Sequence, residues 1–166
     1  GRIVIEEGSI LSIFLEEATE VLERCDTLLN TWRDKLSDQK LVQNLQREIH
    51  TFKGGARMAG LDPLGDLSHA METLMEQIAG NRLQATVAAV QALEEGCDRL
   101  NIWVEQLQTG QMPEAGNALE RFESQVRTLT SESSGESMLD MPADEPVAEE
   151  PIVFKPIDDI GKESRP

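Results

Sequence analysis

The chain has 166 residues and a formal net charge of −16, with a sequence pI near 4.4. This acidity argues against nucleic acid as a partner, because nucleic-acid phosphates bind basic surfaces, and against an anionic membrane face for the same reason. No apolar run approaches the roughly 20 residues of a membrane span, and no signal peptide is present. We therefore expect a cytoplasmic protein made of one ordinary domain and a tail.

The first two helical segments lie in the opening part of the chain. Apolar residues at spacings of three and four predict a helix from about Ser9 to Leu36, with Ile10 on its apolar face. Ser37 and Asp38 are cap candidates for a second helix, which Gly60 ends. No strand-like alternation competes with this pattern.

Three further helical segments follow, joined by short connections. Asp62 and Pro63 open the third as cap and first-turn proline, Leu83 begins the apolar stripe of the fourth, and Pro113 starts a shorter fifth. The predicted fold class is all-α. It is an up-down antiparallel four-helix bundle with an appended fifth helix, spanning residues 1–130.

The composition changes after about residue 130. Five of the seven prolines lie between Pro142 and Pro166, among Ser, Asp and Glu. This predicts a disordered acidic linker over residues 131–166. An apolar island at residues 152–157 is open to three interpretations: a docking motif, a stray hydrophobic patch or the start of another domain. The chain starts at Gly1 rather than methionine, so we expect a piece of a longer protein.

The cysteines and tryptophans are interpreted as core residues. Cys25 and Cys97 fall on apolar helical stripes without Cys-x-x-Cys spacing, which favours buried free thiols over a disulfide. Trp32 and Trp103 are expected in the core or at its edge rather than as binding platforms.

The sequence His-Thr-Phe-Lys-Gly-Gly that begins at His50 is the most informative part of the chain. Glycine inside a helix costs roughly 1 kcal/mol relative to alanine, so a pair needs a reason. His50 lies about 140° from the centre of the apolar stripe and so faces solvent. Gly54 adjoins it, Lys53 flanks it, and Arg47 and Arg57 lie on the same side. This pattern suggests a histidine that carries a phosphoryl group.

The turn between the second and third helices predicts a partner for this histidine. If the helices are antiparallel about residues 60–61, His50 lies level with Met71 and Glu72. The Glu72 carboxylate, on the flank of its helix, can then accept the Nδ1 proton of His50. That hydrogen bond would fix the tautomer and make Nε2 more nucleophilic. His69 lies one turn away on the third helix, well off the apolar stripe.

The motif His-x-x-Lys-Gly-Gly-Ala resembles the histidine phosphotransfer (HPt) domain, in particular the phosphoacceptor domain of CheA-type chemotaxis kinases. The similarity covers about residues 9–108 and includes a downstream His-x-x-Glu. It implies that His50 is the phosphoacceptor in a hydrogen-bonded network with Lys53, His69 and Glu72. The arrangement also resembles kinases of type IV pilus chemosensory systems, which carry several such domains.

The resemblance implies a relay rather than a kinase. A separate kinase catalytic domain would phosphorylate Nε2 of His50 from ATP, and the group would pass to an aspartate of a response-regulator receiver domain, which holds the magnesium ion. No cofactor is expected here, since the chain lacks a Gly-x-x-x-x-Gly-Lys loop. Lys53 would neutralise the phosphoryl group. Arg47, Gly54 and Arg57 would contact the partner, and the bundle would be monomeric.

The same residues allow two other interpretations. His50, His69 and Glu72 could supply metal ligands, but bundle di-iron sites need several inward-facing carboxylates, so no metal is expected. A non-catalytic helical docking module within a larger signalling kinase is the alternative function. An exposed histidine beside a helix-weakening glycine pair argues against it. Arg47 and Arg57 could equally be generic surface charge.

Overall fold

The structure is a computed structural model that describes residues 2–138 of the chain, with side chains described through residue 131. In this range it contains helices and an isolated bridge between Arg2 and Gln111, but no strand. The helices are α1 Ile10–Asp34, α2 Gln39–Met58, α3 Asp62–Ala79, α4 Val87–Gln108 and α5 Ala118–Met138. The all-α fold predicted from the sequence is confirmed.

Four helices close a ring around one core. α1 packs on α2 and α4, and α3 packs on the same two helices. An ion pair shows the antiparallel register of α1 and α2: Arg24 of α1 lies 3.0 Å from Glu48 of α2. The largest fully buried side chains come from all four helices, and they are Trp32, Leu22, Leu29, Leu45, Ile49, Leu64, Leu67, Met71, Leu74, Met75, Leu93 and Leu100.

Local hydrogen bonds fix both ends of α2, and the second end forms the turn of the α2–α3 hairpin. Asp38 caps the start, since its Oδ1 accepts from the Lys40 amide at 3.0 Å. At the end, Gly60 has φ +74, and the Leu61 amide donates to the Ala56 carbonyl at 2.9 Å. This is the glycine-terminated motif that satisfies the last carbonyls of a helix. The turn that the sequence predicted near residue 60 is therefore confirmed.

The start of α3 differs by one position from the prediction. Leu61, not Asp62, occupies the cap position, and it makes no side-chain cap hydrogen bond. Asp62 is the first helical residue, where its negative charge interacts favourably with the positive end of the helix dipole. Pro63 lies in the first turn, as predicted.

The start of α4 is later than its apolar stripe predicted. Leu83 is buried but precedes the helix, which begins at Val87. Thr86 sets this boundary, because its hydroxyl accepts from the Ala89 amide at 3.1 Å.

The predicted start of the fifth helix at Pro113 is wrong. α5 begins at Ala118, and Pro113 is buried in the connection before it. Tertiary contacts hold this connection outside helical conformation. Trp103 Nε1 donates to the Glu114 carbonyl at 3.1 Å, which a local periodicity could not show.

The first turn of α1 also departs from expectation. Ile10 was placed on the apolar packing face, yet it is 58% exposed. The register of α1 against α2 explains this exposure. Phe14 of α1 lies level with Gly55 of α2, since a Cβ on Gly55 would lie 2.9 Å from Phe14 Cδ1. In this register Ile10 lies level with about residue 59, just past the end of α2 at Met58, so no α2 side chain covers it.

The cysteines and tryptophans lie where the sequence placed them. Cys25 and Cys97 are buried free thiols, and Trp32 and Trp103 are buried in the core. A hydrogen bond that the Cys97 thiol donates to Cys25, and then burial, raise the pKa of Cys97, because the first stabilises the thiol and the second disfavours the thiolate.

The chain divides into two units near the predicted end of the bundle. One unit runs to Arg127 and the second begins at Thr128. α5 continues to Met138, past the predicted boundary at residue 130. The rest of the predicted linker, including residues 152–157, lies outside the described residues. Within residues 2–138, no helix is long and apolar enough to cross a membrane.

The glycine pair gives a test of the α1–α2 packing. A Cβ on Gly54 would meet no atom within 4 Å, whereas a Cβ on Gly55 would meet the Phe14 ring at 2.9 Å. We expect Gly54→Ala to stabilise the protein by up to about 1 kcal/mol through helix propensity. Gly55→Ala should lower the melting temperature, because overpacking a core costs about 1–3 kcal/mol.

Thermal unfolding followed by circular dichroism measures both variants under the same conditions. An equal rise in melting temperature for the two alanines would show that Phe14 does not restrict α2 at Gly55.

Candidate functional site

His50 stands on the outer surface of α2, as its place on the helix predicted. Its side chain is 65% exposed. The Nδ1 atom lies 2.6 Å from Oε2 of Glu72 on α3. The contact that the hairpin geometry predicted between these two residues is therefore present in the structure.

Glu72 connects His50 to Lys53. Its Oε1 faces Lys53 Nζ at 2.5 Å, while its Oε2 faces the imidazole. Glu72 is 7% exposed, and the Lys53 side chain is 15% exposed. The carboxylate is thus held beneath the surface between a cation and an imidazole, and only the imidazole projects into solvent.

The Glu72 contact determines which nitrogen of His50 carries the proton. An ionised carboxylate only accepts hydrogen bonds, so Nδ1 must donate. A neutral imidazole with its proton on Nδ1 has a lone pair on Nε2. Among the described residues no side chain hydrogen-bonds to Nε2. The exposed nitrogen is therefore the nucleophilic one.

The charge state of Glu72 supports this arrangement. Burial by itself raises the pKa of this carboxyl, but hydrogen bonds from Lys53 and His50 and their charge outweigh burial. The pKa of Glu72 consequently lies below its ordinary value of 4.5. Glu72 remains ionised near neutral pH and can stabilise positive charge that develops on the imidazole.

His69 is not part of this network, contrary to what the resemblance implied. It is exposed on α3 and lines a groove with Phe122 of α5. Among the described side chains, none of the hydrogen bonds of His50, Lys53 or Glu72 involves His69. Glu72 faces α2, and the three-residue step back to His69 rotates its side chain about 60° away, toward the α5 side.

The three candidate partner-contacting residues lie on the exposed face around His50. Gly54 is exposed, and a Cβ on it would meet nothing within 4 Å. Arg47 is exposed and its guanidinium donates to Asn44 Oδ1 at 3.3 Å. Arg57 is exposed two turns beyond His50. The site thus combines a solvent-facing imidazole, a bare turn of helix and nearby cations.

The geometry also bears on metal binding. His50 and Glu72 are adjacent, but His69 does not join them. Across residues 2–138, no group of three or more His, Cys, Asp or Glu residues is placed to hold a metal ion.

Comparison with known proteins identifies the family. The model of the Hpt domain family matches residues 9–132. The chain belongs to the Hpt domain family. This match covers α1 to α4 and most of α5, and it includes every residue of the site.

Relatives and a solved structure support the same assignment. The chain is 35% identical over 103 residues to the chemotaxis protein CheA of Listeria monocytogenes, covering 61% of this chain and 16% of that protein. It is 32% identical over 93 residues to the gliding motility regulatory protein of Myxococcus xanthus, covering 56% of this chain and 12% of that one. This Hpt domain thus spans under a fifth of the length of these relatives.

The crystal structure of the phosphorylated P1 domain of CheA3 in complex with CheY6 from R. sphaeroides has the same fold. Its TM-score to this chain is 0.65 at 21% identity, and the match covers 74% of this chain and 96% of that one. The helical bundle of this Hpt domain is therefore shown by a solved relative as well as by its own helices.

Two features of the site were not found from the sequence. The sequence predicts Glu72 on the flank of its helix, yet the structure buries it. Gly65 of α3 was not singled out. A Cβ there would lie 3.1 Å from Arg57 Cγ, so the Arg57 side chain rests against this glycine. The hairpin register that pairs His50 with Glu72 would also have paired Arg57 with Gly65.

The buried carboxylate makes a prediction about stability and pH. Because the folded pKa of Glu72 is lowered from 4.5, its contribution to stability is present above that value and is lost as pH falls through the folded pKa. Glu72→Gln should lower the unfolding free energy at pH 7 by about 1–3 kcal/mol, the range for leaving a buried polar partner unsatisfied. The deficit should shrink toward pH 3.

Chemical denaturation between pH 7 and pH 3 measures this deficit. Glu76→Gln is the matched control, since Glu76 is exposed on the same helix, and it should change stability little at any pH. If the Glu72 and Glu76 variants show the same profile, the ion pair with Lys53 does not contribute to folding.

Proposed function

We propose that this Hpt domain is the phosphoacceptor module of a CheA-like kinase and that His50 carries the phosphoryl group. The proposal rests on the 2.6 Å contact between Nδ1 of His50 and the buried Glu72 carboxylate, which leaves Nε2 on the exposed side of the ring. This contact leaves the lone pair on the nitrogen that a donor can reach. The similarity to CheA proteins of chemotaxis supports the same function.

In the first step, Nε2 of His50 attacks the γ-phosphorus of ATP held by a separate kinase domain. A P–N bond forms while the bond from that phosphorus to the bridging oxygen breaks, and ADP leaves with the electron pair. The imidazole gains positive charge during the attack. Glu72 is ionised and lies against Nδ1, so it stabilises that charge. Its pairing with Lys53 keeps the carboxylate in place.

In the second step, the phosphoryl group moves from Nε2 to an aspartate of a receiver domain. A carboxylate oxygen attacks the phosphorus, the P–N bond breaks, and its electron pair returns to the imidazole. The receiver brings the magnesium ion that such transfers use. Gly54 and the cations Arg47 and Arg57 lie on the face where the receiver must approach His50.

The solved P1 domain in the comparison is phosphorylated and in complex with CheY6, which is the kind of partner proposed here. A cytoplasmic location, a monomeric bundle and membership of a type IV pilus chemosensory chain remain predictions. The gliding motility regulatory protein is a relative in keeping with such a pathway. The alternative, a docking module without phosphotransfer, gives no role to an imidazole oriented by a buried carboxylate.

The proposal predicts that His50 is the only phosphorylated histidine. The chain has two histidines, so His50→Gln and His69→Gln form a matched pair. His50→Gln should abolish acid-labile phosphate uptake from an ATP-charged kinase domain, with unchanged helical circular dichroism. His69→Gln should accept phosphate at a rate close to wild type, because its side chain lies outside the network. Label on His69, or label remaining on His50→Gln, contradicts the assignment.

A second prediction concerns the tautomer. If Glu72 holds the proton on Nδ1, 15N NMR of His50 in the neutral protein should show mostly the Nδ1–H form. Glu72→Ala should shift the balance toward Nε2–H, the form generally preferred by a free imidazole, and should slow phosphorylation. An unchanged tautomer balance in Glu72→Ala would show that the carboxylate does not orient His50.

A further inference from the structure

A buried glycine lies near the middle of α4, on the side of the bundle away from His50. Gly96 is buried within the helix that runs from Val87 to Gln108. Glycine weakens the interior of a helix, because its backbone loses more freedom on folding than that of any other residue. A glycine at this position therefore needs a reason in the packing of α4.

Met71 of α3 occupies the space that a side chain at Gly96 would take. A Cβ on Gly96 would lie 2.7 Å from Sδ, 3.0 Å from Cε and 3.2 Å from Cγ of Met71, and these are its three nearest atoms. Non-bonded atoms are best separated by about 3.5–4.0 Å, so an added methyl group would push Met71 by up to about 1 Å. Met71 is fully buried and cannot turn into solvent to relieve this contact.

Met71 precedes Glu72 on α3, so the contact with α4 lies beside the phosphoacceptor site. Successive residues of a helix point about 100° apart. Met71 faces Gly96 of α4, whereas Glu72 faces His50 of α2. α3 packs on both of these helices. The four residues therefore form one layer across α2, α3 and α4.

Packing holds α3 against α4 at this layer. Among the described side chains, no hydrogen bond or ion pair joins the two helices. The rotation of α3 about its axis is thus set on the α4 side by how closely Met71 approaches. On the α2 side, Oε2 of Glu72 lies 2.6 Å from Nδ1 of His50. Lengthening this contact by about 1 Å would take it past the range of a hydrogen bond.

We infer that Gly96 is a positioning residue for the phosphoacceptor site. It admits Met71 against α4, and this approach sets the rotation of α3 at which the Glu72 carboxylate meets Nδ1 of His50. The inference rests on the proposed function, because it concerns the group that orients the phosphoacceptor. Tightly packed interiors transmit small displacements, so a methyl group on α4 should be felt at His50 on α2.

A glycine that only lets two helices pack closely is the competing interpretation. In that case an added methyl group changes the stability of the fold and leaves the imidazole as it was. The melting temperature does not separate the two interpretations, since the gain in helix propensity opposes the cost of overpacking. The tautomer of His50 does separate them, because it reports where the Glu72 carboxylate lies.

The test uses the full chain and three variants. Gly96→Ala adds the methyl group. In the double variant, Met71→Val removes Sδ and Cε and takes away as many heavy atoms as Gly96→Ala adds, and exchanges that keep the core volume are tolerated best. Leu107→Ala is the control, at a fully buried position of α4 that lies about 16 Å along the helix from Gly96.

Two properties of each variant are measured. The first is the tautomer balance of His50 by 15N NMR. The second is the kcat and KM with which a separate ATP-charged kinase domain phosphorylates the chain.

We expect Gly96→Ala to shift the balance from the Nδ1–H form toward the Nε2–H form. Its kcat should fall about tenfold or more, since a displacement of about 1 Å far from the reacting atoms can slow a reaction on the order of 100-fold. Its KM should stay near wild type, because the exposed face around His50 is unchanged. The double variant should recover the Nδ1–H form and most of the kcat. Leu107→Ala should melt earlier and keep the wild-type tautomer balance.

A wild-type tautomer balance in Gly96→Ala would overturn the inference, whatever its melting temperature. Failure of the double variant to recover the Nδ1–H form would also overturn it, as would an equal shift in Leu107→Ala. The NMR measurement needs no phosphate. If the wild-type chain takes up no phosphate on His50, the proposed function fails, and the tautomer balance still decides whether Gly96 positions Glu72.

Discussion

The site depends on one buried carboxylate held from two sides. Glu72 projects from α3 toward α2, where Lys53 supplies a cation and His50 supplies an imidazole. Burying a carboxylate without partners is strongly unfavourable, so these contacts and the α2–α3 register stabilise each other. A one-turn slip of the hairpin would separate Glu72 from both His50 and Lys53. The packing of the two helices and the orientation of His50 therefore depend on the same contacts.

This arrangement meets two requirements that the proposed role places on His50. A phosphoacceptor must be accessible to two partners in turn, yet an exposed imidazole has no fixed tautomer of its own. Here the orienting group is buried and the reacting nitrogen is not. The carboxylate is buried, and a hydrogen bond such as the one to Nδ1 is stronger away from water than in it. The Nε2 side of the ring makes no hydrogen bond in the part of the chain that the structure describes, and the side chain is 65% exposed.

The glycine pair shows how neighbouring identical residues acquire different roles. Successive residues of a helix point about 100° apart. Gly54 therefore opens onto solvent beside His50, while Gly55 admits the Phe14 ring of α1. The same ring packs edge-on against Phe52 at 5.3 Å. The close approach of α1 on one side of α2 and the bare surface beside His50 on the other thus occur at the same turn.

The sequence alone determined much of the fold and of the site around His50. Apolar periodicity predicted the helices, and the placement of the turn near Gly60 predicted the contact between His50 and Glu72. These inferences succeed because helix geometry and a short turn determine which residues of the two antiparallel helices lie opposite each other. The exposure of His50 followed from the same periodicity.

Only the tertiary structure decided the rest. It left Ile10 uncovered, kept Pro113 outside a helix, directed His69 away from the network and seated Arg57 on Gly65. Each of these depends on where a second or third helix ends or how it is rotated. Periodicity along one helix specifies a face, but the neighbours that cover that face are set by packing between segments distant in sequence.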